Sequence, residues 1–311
     1  MEKNNFFIQL LKKNVVNDPL IGFDFDIEQI RSLYENALDE YDKNKDVVNT
    51  DRCIENPTKC ILQLLSNIVR NIPLSNVDPN KLRWFDIQSA IYNTDNLGAS
   101  VIPSLQTVIP NKAMILCQAP THDHMCTFLE NQIERNIQTF VVLETKADTH
   151  IGNMITHNKY YKYWSHKKNK SKKFDKIIIK TLNIKKIKNI NIIDITITNH
   201  NTGLIHHAKI IHYTAWPDMG VISVEELDSL VQIINIHTVT ENKLLIHCSA
   251  GVGRAGTLCA SLLLNNFIAD ELNLIHIDEL VLFLKICRPY TIQTTAQYRL
   301  IADYAKSIKK N

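Results

Sequence analysis

Residues His247-Cys248-Ser249-Ala250-Gly251-Val252-Gly253-Arg254-Ala255-Gly256-Thr257 place a cysteine and an arginine at the two ends of a tight turn able to enclose one phosphate. Backbone N–H groups of such a loop, freed by glycine and backed by the positive end of a following helix, point inward at an anion. Of 8 glycines in 311 residues, Gly251, Gly253 and Gly256 crowd into this stretch. The chain as a whole is poor in glycine against a usual share of about 7%. The same field lowers a thiol pKa from about 8.5 to roughly 3.5–7.5, so Cys248 is expected to be a thiolate at neutral pH. Beside a caged phosphate it would be a nucleophile aimed at phosphorus. Arg254 would grip two equatorial oxygens as charge spreads in the transition state. The implied reaction is phosphoryl transfer to sulfur.

A phosphomonoester leaves as a poor alkoxide or phenoxide unless an acid protonates it. Trp216-Pro217-Asp218 supplies a carboxyl, and Met219-Gly220 follows it, so the acid sits on a loop that can swing. Alone the tripeptide reads as an ordinary turn; its place before the cysteine loop changes that. A cysteinyl-phosphate must then be hydrolysed, and Gln293 and Gln297 in Arg288-Pro289-Tyr290-Thr291-Ile292-Gln293-Thr294-Thr295-Ala296-Gln297-Tyr298 offer amides to orient a water.

These groups need a scaffold. Lys243 to Ile246 reads as a short buried strand and Leu258 to Phe267 as a helix with an apolar face, which makes the cysteine turn a strand-to-helix loop. Asp26 to Asp42 alternates apolar and charged residues at helical spacing. Ile177 to Ile197 is strand-like, and Ile205 to Tyr213 is a strand leading straight into the acid loop. There is no internal repeat and no low-complexity linker. The expected fold is α/β, a twisted mixed sheet flanked by helices, with the phosphate-binding loop between a central strand and a helix. With 311 residues at 45% hydrophobic content, one domain spanning 1–311 is the simplest organisation.

The ordered set Trp216-Pro217-Asp218, His247 to Thr257 and Gln293 to Gln297 resembles the tyrosine-specific class of protein tyrosine phosphatases. Upstream, Met114-Ile115-Leu116-Cys117-Gln118-Ala119-Pro120 resembles the family's strand ending in Gln-Gly-Pro. Phe128 to Asn136 is similar to its next helix, Phe140 to Leu143 to its next core strand, and Tyr163-Trp164 to its Tyr-Trp pair. The similarity runs over about 110–303, behind an N-terminal helical segment of about 1–50. It implies a single phosphatase domain in which Cys248 is the nucleophile and Arg254 the phosphate ligand. Asp218 would be the acid that later deprotonates water, and Gln297, with Gln293, would place that water. His247 would tune the thiolate from outside the cage, and Trp216 would act in loop closure. Ser249, Ala250, Gly251, Val252 and Gly253 would line the phosphate site. The implied activity is hydrolysis of protein phosphotyrosine, with no cofactor and no metal.

Three positions depart from the family pattern. Ala255 stands where a hydroxyl residue usually contacts the sulfur, which should leave a poorer sulfur leaving group and a slow second step. The nearest counterpart found for the family's N-terminal Arg-Tyr pair, Asp51-Arg52-Cys53-Ile54-Glu55-Asn56-Pro57, puts Cys53 where the slot's aromatic ring belongs. Loss of that ring would remove about 0.5–1.5 kcal/mol of stacking and broaden substrate preference. Glu144 and Asp148 compete to pair with the loop arginine, and a surface position suits Glu144 equally well. These departures keep two rivals in view: a phosphotyrosine-binding module that traps substrates with little turnover, and a phosphatase of broader range acting on phosphoserine, RNA 5′-phosphates or phosphoinositides.

The remaining features are quieter. No stretch approaches the ~20 apolar residues of a membrane span, and Met1 to Val16 lacks a signal-peptide core, so a soluble, cytoplasmic protein is expected. Seven cysteines without a Cys-x-x-Cys pair suggest neither a disulfide framework nor a zinc site. His122-Asp123-His124 with Cys126, and His206-His207 with His212, do not have the layout of metal ligands. Lys167, Lys168, Lys170, Lys172, Lys173 and Lys176 face only Asp175, but the net charge is just +3; a solvated connector before a hairpin is favoured, and nucleic acid is not an expected partner. An Asn-, Ile- and Lys-heavy composition fits an AT-rich genome of viral or parasitic kind.

Overall fold

Alternation along the central strands decides the layering. Met114 and Leu116, Leu244 and Ile246, and Val141 and Leu143 enter one apolar cluster. Their neighbours Ile115 and Cys117, Leu245, and Phe140 and Val142 enter a second. A strand whose successive side chains are all buried, on opposite faces, must lie between two covered layers. The computed structural model describes residues 6–13, 24–46, 56–84, 86–103, 113–145, 150–151, 154–155, 162–238, 243–267 and 269–309.

The strands are β1 (Asp24–Phe25), β2 (Asn93–Thr94), β3 (Ser100–Ile102), β4 (Ala113–Cys117), β5 (Thr139–Val142), β6 (His150–Ile151) and β7 (Met154–Ile155). They continue as β8 (Ser171–Phe174), β9 (Ile177–Ile187), β10 (Ile190–Asn199), β11 (Ile205–Tyr213) and β12 (Lys243–His247). The helices are α1 (Phe6–Lys13), α2 (Ile27–Asn44), α3 (Pro57–Ile68), α4 (Met125–Glu134), α5 (Val224–His237), α6 (Gly253–Asn265), α7 (Ala269–Leu274), α8 (Ile277–Cys287) and α9 (Thr295–Ile308).

Eight strands form one mixed sheet in the order β3-β4-β12-β5-β11-β10-β9-β8. Its middle is parallel: β12 pairs with β4 and β5, and β5 with β11. Antiparallel β3 closes one side and the β8–β10 meander the other. The parallel middle brings the carboxyl ends of four strands to one rim, where ligand crevices of open α/β sheets lie. Gln118, Leu143, the acid loop and Cys248 follow those four ends.

Local chemistry accounts for the helices that hold this rim. Asp26 caps α2 by accepting from Gln29 N at 3.0 Å, and Ile30, Tyr34, Ala37 and Leu38 are its buried stripe. Reciprocal capping boxes start α5 (Ser223 with Glu226) and α9 (Thr294 with Gln297). Helix α6 starts at Gly253, not at Leu258 where its apolar periodicity begins. The glycines of its first turn lower helix propensity but allow close approach: a Cβ on Gly256 would lie 2.2 Å from Thr291 Cγ2.

One expectation is corrected here. Cys117, Cys126, Cys248, Cys259 and Cys287 are free, but Cys60 is disulfide-bonded. Bridging depends on which Cβ atoms the fold brings together, and spacing along the chain does not report that. Among the described residues, no helix is long and apolar enough to cross a membrane.

Candidate active site

The turn after β12 is shaped by contacts that no local sequence could provide. Gly251 has φ +70°, and a Cβ there would fall 2.0 Å from the Cys117 carbonyl oxygen of neighbouring β4. Only glycine satisfies both conditions. From behind, the buried Arg288 guanidinium donates through Nε to Gly251 O (2.8 Å) and through Nη2 to Ala250 O (3.4 Å). Its Nη1 donates to Ser89 Oγ, Gly98 O and Ser100 Oγ at 3.0–3.1 Å. With those carbonyls drawn outward, amides of the loop turn inward. Gly251 N–H donates to Cys248 Sγ at 3.2 Å.

His247 sits wholly inside, and its imidazole is held neutral. Burial, the largest cause, pushes its pKa down to about 3, and the nearby Arg83, His212 and Arg254 also lower it. The Cys248 carbonyl can only accept, so Nδ1 carries the proton in their 3.2 Å bond. Nε2 therefore accepts from the Tyr163 hydroxyl at 3.1 Å. Tyr163 and Trp164 are core residues, stacked edge to face at 4.9 Å.

Arg254 lies in the first turn of α6, 1% exposed. Its Nη1 donates to Leu143 O (3.1 Å) and Trp216 O (3.3 Å), and its Nη2 meets Asp218 Oδ1 at 3.0 Å. The acid loop is thus folded over the cysteine loop. Trp216 anchors it, fully buried with Nε1 donating to Gly220 O at 3.1 Å, while Met219 takes φ +57° at its exposed tip. The Asp218 side chain stays 40% exposed at the cavity mouth.

Asp218, Cys248, Ser249, Ala250, Arg254 and Gln293 share one cavity of about 230 Å³. Gln293 is the glutamine that lines it. Gln297 is fully buried, and its Oε1 accepts from Gln293 N (2.9 Å) and Thr294 N (3.3 Å). The Gln297 Nε2 atom has no hydrogen-bond partner among the described residues and lies 3.0 Å from where a Gly253 Cβ would stand. Lys285 holds the approach to this pair: Nζ donates to Thr291 O (2.7 Å) and Ile292 O (3.4 Å). The turn it braces is strained, with Tyr290 at φ +69° and Ile292 at φ +61°.

A family model described as Protein-tyrosine phosphatase matches residues 76–306. The chain belongs to the protein-tyrosine phosphatase family. Among its relatives, the receptor-type tyrosine-protein phosphatase eta of Gallus gallus is 28% identical over 245 residues, covering 76% of this chain and 17% of that protein. The human protein of the same name is 27% identical over 244 residues, with the same two coverages. Tyrosine phosphatase-like protein J1 of Microplitis demolitor bracovirus is 26% identical over 212 residues, 61% of this chain and 68% of that protein. The chain therefore spans under a fifth of the receptor-type relatives' length.

Within this phosphatase domain, two sequence expectations change. The cavity does have an aromatic wall: Trp84 lines it, with Asp86 and Ile87. Its Nε1 donates to Ser249 Oγ at 3.1 Å, and its backbone is latched by Gln118, whose Oε1 accepts from Trp84 N at 2.7 Å and whose Nε2 donates to Trp84 O at 2.9 Å. Cys53 lies outside the described residues and outside the matched span. Arg83-Trp84 is an arginine-aromatic pair in the sequence, and that signal was available. Glu144 is not on the surface: it is 2% exposed and ion-paired with Arg83. Its rival Asp148 lies outside the described residues. Ala255 is fully buried, and Thr257 Oγ1 donates to Gly253 O at 2.9 Å within its own helix. Arg288 and Tyr163 carried no catalytic signature, because their parts are defined by partners distant in the chain.

His206 and His212 are each engaged by a backbone carbonyl. His206 Nε2 bonds Ile137 O at 2.7 Å and His212 Nε2 bonds Glu144 O at 2.9 Å. Among the described residues no three His, Cys, Asp or Glu side chains form a metal-binding group.

Proposed function

We propose that this domain hydrolyses phosphotyrosine in proteins through a cysteinyl-phosphate. The carrying observation is that Cys248, Arg254 and Asp218 share one cavity, with Asp218 held 3.0 Å from the arginine that would bind the phosphate. In the first step Cys248 sulfur attacks phosphorus while the bond to the phenolic oxygen breaks, and Asp218 gives that oxygen its proton. Arg254 and the loop amides balance the charge on the equatorial oxygens. In the second step a water oriented by Gln293, with Gln297 behind it, attacks phosphorus. Asp218 takes its proton, the S–P bond breaks, and inorganic phosphate leaves with the sulfur restored.

The Trp84 wall supports an aryl phosphate as substrate, because an aromatic ring beside the phosphate cage gives a phenyl group something to stack on. It weighs against the broader substrate range that an absent ring implied. Ala255 is the feature that favours the trapping alternative, since no hydroxyl follows the arginine. Turnover of a tyrosine-phosphorylated peptide, a serine-phosphorylated peptide and an RNA 5′-triphosphate, by wild type and Cys248→Ser, decides between them. The hydrolytic reading expects phosphotyrosine turnover that disappears in the variant. Tight phosphopeptide binding without wild-type turnover would select trapping.

A further inference from the structure

Behind the acid loop lies a second cavity, about 360 Å³, between the β9–β10 turn, the end of β11 and the first turns of α5. That volume falls in the range of about 300–1,000 Å³ typical of small-molecule sites. Its walls include Ile190, Ile233 and the Tyr213 ring, and Glu225, Glu226 and Asn189 are at its polar side. Two carboxylates against the one ammonium of Lys188 give it a net negative lining. No cation pairs with Glu226 among the described residues.

Both ends of the acid loop are fastened to residues of this cavity. At the entrance, Thr214 N and Oγ1 both donate to Asn189 O, at 2.9 and 3.0 Å. At the exit, Ser223 N donates to Glu226 Oε2 at 3.3 Å, and Glu226 N donates to Ser223 Oγ at 3.2 Å. The Glu226 carboxylate joins the two ends, because Oε1 accepts from Tyr213 Oη (3.0 Å) and Asn189 Nδ2 (3.3 Å). Tyr213 in turn packs edge-on against Trp216, ring centres 6.2 Å apart.

We propose that this cavity is a regulatory site for a small apolar cation, an amine or guanidine carried on a hydrophobic body. Its charged end engages Glu226 and its body rests on Ile190, Ile233 and Tyr213. A cation drawing the Glu226 carboxylate away from Ser223, Tyr213 and Asn189 loosens the exit of the acid loop and breaks the link between its two ends, so Asp218 spends less time over Cys248. The coupling rests on Asp218 acting as proposed above; the binding does not.

Benzamidine is the probe, and neutral benzamide, of nearly the same shape, is its control. Calorimetry should show benzamidine binding to wild type and equally to Cys248→Ser, which separates this site from the phosphate cavity. A charge-assisted hydrogen bond predicts at least about tenfold weaker binding of benzamide, and the same loss of benzamidine affinity in Glu226→Gln. Ile233→Trp, which fills the cavity from α5, should abolish binding. With phosphotyrosine peptide, saturating benzamidine should lower kcat several-fold at unchanged KM, and should change Trp216 emission. Equal binding of both probes, binding that survives Ile233→Trp, or inhibition seen only in KM would overturn the proposal. If the wild type has no turnover, the hydrolytic reading falls while calorimetry and Trp216 emission still decide this site.

Discussion

Asp218 Oδ1 and Arg254 Nη2 meet at 3.0 Å, joining the proposed acid of one loop to the proposed phosphate ligand of another. The pair is asymmetric, with Arg254 1% exposed and Asp218 40% exposed. The aspartate is therefore the solvent-facing member, and a bound phosphate would compete with it for the guanidinium. Asp218→Ala removes both the proposed proton donor and the competitor. It should lower kcat by roughly 10²–10⁴-fold and tighten phosphotyrosine-peptide binding. Rapid-quench kinetics and peptide calorimetry check the two effects separately; weaker binding would refute the competition.

Ala255 leaves the sulfur without a hydroxyl donor from the following turn. A hydrogen bond restored by Ala255→Ser is worth about 1 kcal/mol, and it would stabilise the leaving sulfur in hydrolysis of the proposed cysteinyl-phosphate. Steady-state turnover should rise several-fold, and the wild type should show a pre-steady-state burst that the variant shortens. An unchanged or lower rate would contradict this.

Trp84 is expected to read the ring of the substrate. Replacing it with alanine loses about 0.5–1.5 kcal/mol of stacking, so KM for a phosphotyrosine peptide should rise between roughly two- and tenfold. Discrimination against phosphoserine peptide should narrow by a similar factor. A Trp84→Tyr variant should recover most of the loss, whereas a merely structural tryptophan would leave the selectivity ratio unmoved.

His247 and His212 make the fold acid-sensitive. Burial, the first cause for both, lowers their pKa values from 6.5 to about 3 and about 4. Between those values and 6.5 the unfolded chain binds more protons than the folded one, so stability is full above pH 6.5 and is lost as pH falls. At pH 5 each buried imidazole costs on the order of 2 kcal/mol. Urea unfolding at pH 7 and pH 5 should show this loss, and it should shrink in His212→Gln. A pH-independent midpoint over this window would exclude it.

What could be read from the chain alone was whatever is contiguous. Cys248, Arg254 and the glycines between them lie within one turn of each other, so their spacing specifies a loop whatever surrounds it. The strand at Lys243–His247 was legible because burial on both faces demands an apolar run; Ile205–Tyr213 is buried on both faces only in its second half, Ile210–Tyr213. Asp218 and the glutamines were reached from the chemistry a phosphomonoester requires, and the family resemblance implied the same roles for them.

Tertiary structure decided what depends on partners far apart in sequence. Arg288 reaches Ser89 and Gly251, Trp84 reaches Ser249, and Glu144 chooses Arg83. None of these pairings has a local signal, because a side chain's part in a hydrogen bond is set by what the sheet brings opposite it. The aromatic wall is a different case: the Arg83-Trp84 pair stands in the sequence, but Arg52-Cys53 was matched instead, and only the cavity shows that Trp84, held by its latch on Gln118, lines it. The start of α6 at Gly253 was hidden in sequence, since Gly253 and Gly256 serve close approach to Gln293 and Thr291 at the expense of helix propensity.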